Sequence, residues 1–297
     1  LRDMPDSLAR QRPQAEQMMN DIFRRVGDLP PLPAVAAKVL EILKDPDADL
    51  TALVSIIEKD QALTAKILRV SNSAYYGLVR RISTVKDAVV TLGFNNMRNQ
   101  VLALSAYSLM QGPASGYALE AGSLWDHSLC TGLCAEHLAD TLGYKSIKDE
   151  VFIGGLLHDI GKTILSYYVS ARFSNILERV DQLGQTFVEA ERAELGFDHA
   201  EVGARVALRW NLPESLVSMI GDHHKPDLKS VNAARVCLVH VADAIASMLG
   251  VGIGVDALEK RLREEAAQLI GLTDHAVQDA MAYMSDLGDL REYIGTH

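Results

Sequence analysis

Cysteine is scarce in this chain: three residues, Cys130, Cys134 and Cys237, in 297. An odd, sparse set is not a disulfide framework. Cys130 and Cys134 lie one helical turn apart and read as small residues on a packed face. Long apolar runs are missing too. The longest is Val151–Leu157, far short of the roughly 20 residues a membrane-spanning helix needs. The first residues carry charges where a secretory signal would be apolar. Clustered basic residues are also absent: the net charge is −10, and the densest spots are Arg24-Arg25 and Arg80-Arg81. Such a surface repels phosphate backbones, so nucleic acid is not an expected partner. The expectation is a cytoplasmic protein with no membrane and no nucleic-acid partner.

Period-2 alternation is nearly absent as well, whereas apolar residues recur at three and four. Leu50, Leu53, Ile56 and Ile57 form one stripe, with Asp49 as its expected N-cap, and Leu63, Ile67 and Val70 form the next, after Asp60. Ser83 is the expected cap of a helix carrying Val85, Ala88, Val89 and Leu92, which Gly93 stops. The fold class is all-α, a helical bundle with short turns. Later helices are expected over 124–142, over 151–168 as one element, and onward to about Ile294. Residues 112–122 (GPASGYALEAG) are the weakest stretch for regular structure and the expected boundary. That divides the chain into an N-terminal helix or linker (1–27), a helical subdomain (28–115) and a second helical subdomain (116–297).

Residues 29–103 run LPPLPAVAAKVLEIL, then DPDADLTALVSIIEKDQALTAKILRVSNSAYYG, then ISTVKDAVVTLGFNNMRNQVLA. This closely resembles the N-terminal half of the HDOD family, in which a Pro-rich opening leads through an acidic turn to an SNSA-YYG-like helix end. The landmarks also make sense as architecture. Pro30, Pro31 and Pro33 pre-set an extended entry. Asn72 and Ser73 can hydrogen-bond backbone at the corner, and Tyr75 and Tyr76 are expected to pack beneath it.

The second half holds most of the chemistry. His158-Asp159 lies in LLHDIGK, and burying an ionised carboxylate there costs several kcal/mol unless a cation or hydrogen bonds compensate. His127 stands in LWDHSL. Asp198 and Glu201 form an expected capping box that puts His199 in a first turn. His223 and His224 end the helix that begins near Pro213, and Asp243 lies in VCLVHVADAIA. Five imidazoles and two carboxylates on separate helices suit two divalent transition metals such as Fe, Mn, Ni or Zn. A hydrogen-bonded, metal-free relic is the alternative. His137 and His240 read as ordinary helix histidines, His240 also as a support for a ligand since it precedes Asp243 by one turn. His275 and His297 read as solvated, Trp125 and Trp210 as core, and Glu259–Glu265 as a solvated helix face.

That order of residues resembles the HD phosphohydrolase superfamily, especially its HD-GYP branch. The resemblance implies that His127, His158, Asp159 and Asp243 hold one metal, and that Asp159 bridges to a second held by His199, His223 and His224. It matches Lys162 to the Lys that follows the HD pair. Two metals about 3.5–4 Å apart can lower the pKa of a water and grip a phosphoryl oxygen. Lys162, one turn after His158, could neutralise developing charge. Lys162 and Asp159 are thus the candidate catalytic residues. In HD-GYP proteins a Glu and a Gly-Tyr-Pro loop follow the His pair, but here Lys225-Pro226-Asp227 follows, a departure that puts cyclic-di-GMP hydrolysis in doubt. HDOD proteins are generally regarded as non-catalytic. Three readings result: a signalling module with other signalling proteins or domains as partners, a metal-dependent phosphohydrolase, and a pseudo-enzyme that holds a nucleotide or phosphate without turnover.

Overall fold

The computed structural model describes residues 17–20, 34–42, 50–73, 76, 78, 80–252, 254 and 262–287. Asp49, Tyr75, the opening prolines, His297 and residues 259–261 of the Glu259–Glu265 run lie outside them, and 262–265 are exposed. Among the described residues no strand forms beyond a single bridge between Ala114 and Leu119, as the missing alternation requires. The fold is all-α.

The first half contains α1 (Ala34–Ile42), α2 (Leu50–Glu58), α3 (Gln61–Ser71), α4 (Val85–Leu92) and α5 (Phe94–Met110). Asp60 caps α3 by accepting from the Leu63 N–H. The cap of α4 is Thr84, one residue later than expected from Ser83. Its side chain accepts from Asp87 N–H, because an N-cap oxygen reaches the third residue of its helix and no further. Gly93 ends that helix at a positive φ of 86°. Asn72 closes the corner, donating to the carbonyls of Leu68 and Ile82 and accepting from Ile82 N–H. Ser73 makes no such bond: its hydroxyl is buried without a partner. The Tyr76 hydroxyl meets Asn96 and Gln100 on α5.

The second half follows with α6 (Ser123–Thr141), α7 (Lys148–Leu157), α8 (Ile160–Ser170), α9 (Phe173–Leu183), α10 (Phe187–Leu195), α11 (His199–Arg209), α12 (Glu214–Asp222), α13 (Ala233–Met248), α14 (Glu264–Leu269) and α15 (Asp274–Asp286). Helix α7 is buried on every side from Val151 to Leu157, the mark of a central helix. It lies against α6, α12, α13 and α5. A Cβ at Gly155 would sit 2.8 Å from the Gly132 Cα, so paired glycines let the α6 and α7 backbones touch. One hydrophobic cluster runs from Met19 through both halves to Met284.

One expectation needs correction. The single helix expected over 151–168 is broken: α7 stops at Leu157 and α8 begins at Ile160. Apolar periodicity cannot see this break, because the residues on both sides are equally buried. Residues 112–122 hold little regular structure, a 3-10 turn at Ser115–Tyr117 and the Ala114–Leu119 bridge, with Tyr117 fully buried.

Candidate metal centre

The break between α7 and α8 builds the site. His158 ends α7, and its Nδ1–H donates to the Gly155 carbonyl at 2.6 Å. That bond uses one of the carbonyls a helix end leaves unsatisfied. His223 ends α12 in the same way, its Nδ1–H donating to Ile220 O at 2.8 Å. His127, on α6, gives its Nδ1–H to Val251 O at 3.2 Å. His199 opens α11 behind its cap Asp198, which accepts from Glu201 N–H at 2.9 Å and pairs with Arg192 at 2.6 Å. Its Nδ1–H donates to Glu191 Oε2 at 2.8 Å. In all four rings the engaged Nδ1 turns Nε2 inward, the orientation in which a deprotonated Nε2 could ligate a cation.

The inward atoms fall into two sets that meet at Asp159. On one side His127 Nε2 lies 2.8 Å from Asp243 Oδ1, and His158 Nε2 lies 3.6 Å from the same oxygen and 3.3 Å from Asp159 Oδ2. On the other, Asp159 Oδ1 lies 3.3 Å from His199 Nε2 and 3.7 Å from His223 Nε2. The Nε2 atoms of His199 and His224 are 2.8 Å apart. Within each set, His127–His158–Asp243 and Asp159–His199–His223–His224, the donor atoms lie within 4.8 Å of one another. All seven expected ligands therefore converge, and each carboxylate oxygen of Asp159 faces a different set.

Helix packing makes this convergence possible. A Cβ at Gly161 would collide with the His199 carbonyl, so only glycine lets the start of α8 meet the start of α11. Helix α13 brings Asp243 alongside α6 and α7. His240, one turn earlier, donates from Nδ1 to the His223 carbonyl at 2.7 Å and accepts from Arg263 N–H at 3.0 Å. It holds the backbone of His223 rather than that of Asp243 one turn away. His137 lies apart, paired with Asp279 at 2.8 Å and stacked on Tyr283. His275 is exposed, Trp125 is buried and Trp210 half-buried.

Lys162 is 1% exposed, and its ammonium sits 2.5 Å from Asp159 Oδ2. It is thus bound to the shared carboxylate within the core. Burial alone would raise the Asp159 carboxyl, but His158 and Lys162 hold it well below the usual carboxylate range. Burial opposes the His158 and His199 imidazolium forms, yet Asp159 and Asp243 lift His158 to about 9, and chiefly Glu191 lifts His199 to about 10. His223 stays neutral, pushed well down by burial and by its two charged neighbours His158 and His199.

The donor set fits a cation. His158 Nε2, His223 Nε2 and Asp159 Oδ1 are buried and make no hydrogen bond, a cost of about 1–3 kcal/mol for each such atom. They point into one shared space. Asp159 lies against Lys162 and His158, Asp243 against His127, and Glu191 against His199, and a cation would take the place of the protons on the raised His158 and His199 rings. Nitrogen and carboxylate donors of this kind suit Zn, Mn, Fe or Ni.

Sequence reading missed two residues here. Glu191 is fully buried on α10 beside Phe187, Ala190 and Leu195. An acid one turn from apolar residues on both sides was the available signal. Tyr117, whose hydroxyl donates to Glu191 Oε1 at 2.5 Å, carried no signal inside GPASGYALEAG.

The HDOD domain model matches residues 29–226. An uncharacterized protein of Treponema pallidum (strain Nichols) is 28% identical over 222 residues, covering 71% of this chain and 40% of that one. The chain thus spans about two fifths of the length of that relative. An HDOD domain protein of unknown function from Geobacter sulfurreducens superposes with a TM-score of 0.70 at 26% identity, covering 95% of this chain and 92% of the other. A Shewanella amazonensis SB2B protein provisionally assigned as a phosphohydrolase gives 0.70 at 24% identity, with 92% and 96% covered.

Proposed function

The chain belongs to the HDOD domain family, and on that premise we propose that it is a regulatory module whose second half binds two divalent transition-metal ions. One observation carries this reading: two donor sets flank Asp159, whose Oδ1 belongs to the His199 set and whose Oδ2 lies 3.3 Å from His158 of the other, with buried, unbonded Nε2 and Oδ1 atoms facing the same space. His127, His158 and Asp243 would hold one ion; His199, His223 and His224 would hold the other, with Asp159 between. Enclosure favours a regulatory or structural use. Every ligand except His224 is 4% exposed or less, so a phosphate ester has little direct access to the donors. The partners of such a module are other signalling proteins or domains.

The test is metal analysis of the gently purified chain beside its Asp159→Ala variant. About two equivalents of Mn, Fe, Ni or Zn in the wild type and none in the variant are expected. A wild type without stoichiometric metal would refute the reading.

A second reading, a metal-dependent phosphohydrolase, is favoured by the complete donor set together with Lys162. Bound metal would supply Lewis acidity toward water and a phosphoryl oxygen, while Lys162 would hold Asp159 ionised between the two donor sets. Hydrolysis of a generic phosphodiester by wild type, abolished in Asp159→Ala, separates this reading from the first. A phosphate or nucleotide that binds without turnover would instead mark a pseudo-enzyme.

A further inference from the structure

Residues 112–122 reach from the joint between the two halves into the candidate metal centre. Gly116 N–H donates to Ser166 Oγ on α8 at 3.0 Å, fixing the 3-10 turn. Tyr117, the next residue, is fully buried. Its ring lies 5.5 Å from the Lys162 ammonium and edge-on to His199 at 5.9 Å. Its hydroxyl donates to Glu191 Oε1, while Glu191 Oε2 accepts both the Nδ1–H and the backbone N–H of His199. A continuous chain of bonds therefore runs from the joint to a metal-facing nitrogen.

This arrangement serves one donor set. On the other side the Nδ1–H groups of His127 and His158 end on the main-chain carbonyls of Val251 and Gly155. Main-chain partners move only with the backbone that carries them. The His199 ring instead depends on a side-chain carboxylate, which in turn depends on a tyrosine hydroxyl. A carboxylate behind a ligating histidine raises its basicity and fixes its ring. Removing the Tyr117 donor would leave Glu191 Oε1 with an unmet bond in the core.

We propose that Tyr117 and Glu191 are positioning residues for the cation on the His199 side, and that seating of the 112–122 segment sets how tightly that cation binds. The inference rests on the metal-binding reading above. Because linkage is reciprocal, the cation also holds the segment in place by the same factor. A signal that displaces the joint between the halves thereby weakens one ion and leaves the other.

The test uses the full chain, stripped with chelator and titrated with Mn²⁺, reading stoichiometry, both affinities and hydrogen exchange at amides 114–119. Wild type should bind two Mn²⁺, with exchange at these amides slowed on loading. Tyr117→Phe and Glu191→Gln should each weaken one Mn²⁺ by about 10–100-fold, the range for groups behind a ligand, and leave the other unchanged. Loading should no longer slow exchange in Tyr117→Phe. Ser166→Ala, which touches no expected ligand, should loosen the same ion severalfold and covers the case in which the tyrosine variant fails to fold. His127→Ala should lose the opposite ion and keep the exchange effect. If these variants melt lower but bind both ions as wild type does, Tyr117 and Glu191 are merely structural and the proposal is overturned. A wild type that binds no Mn²⁺ overturns the underlying reading, and this inference with it.

Discussion

The two donor sets share Asp159 yet balance charge differently. The set on α6, α7 and α13 contains its own second carboxylate, with Asp243 Oδ1 2.8 Å from His127 Nε2. The set on α11 and α12 is three imidazoles, and its second carboxylate, Glu191, stands behind His199. The first set is closed by main-chain contacts. The second has a half-exposed member, His224, and a side-chain support reaching to Tyr117.

Removing what the sets share should have the largest effect. Asp159→Ala should empty both and leave Lys162 buried without its counter-charge, a loss of about 3–5 kcal/mol. Denaturant melts with metal analysis would check it; retention of either ion would contradict a shared carboxylate. Gly161→Ala should act on one side, forcing α8 away from the His199 carbonyl at a cost on the order of 3 kcal/mol. Weaker binding at the His199 side alone is expected, and equal loss at both would contradict independent supports.

Acidity sharpens the contrast between proton and metal in the same space. In stripped protein, His158 and His199 are raised to about 9 and about 10, against roughly 6.5 in an unfolded chain. Raised folded-state values give stability that is complete below about 6.5 and is lost as pH rises through 9 to 10. A metal ion requires neutral imidazoles, so its stabilising effect should grow over the same range. Melting curves from pH 6 to 10 should diverge with and without chelator, and parallel curves would refute the competition. The smallest effect belongs outside both sets. His137→Ala breaks a partly exposed pair with Asp279, should cost under about 1 kcal/mol, and should leave metal content unchanged.

Much of this was legible in the chain itself. The absence of alternation and the three-four spacing identify an all-helical fold, because helix faces must bury apolar residues at the helix period. Asp60, Gly93 and Asp198 mark their helix ends by local hydrogen bonding that needs no distant partner. The seven expected ligands could be named because their order resembles the HD superfamily; of them, His158-Asp159 and Asp243 also stand in apolar segments whose burial demands compensation. Less could be read where residues act only across space. Thr84 and Ser83 differ by one position that composition does not separate. The interruption at His158-Asp159 is hidden because both flanking segments are buried.

The residues themselves thus determine helix, cap and the presence of polar groups in need of partners, since those follow from short-range sterics and burial. Only tertiary packing decided that the two oxygens of Asp159 face different donor sets, that Lys162 is spent on Asp159, and that Tyr117 reaches His199 through Glu191. Those are contacts between helices far apart in sequence, and no local period encodes which faces will meet.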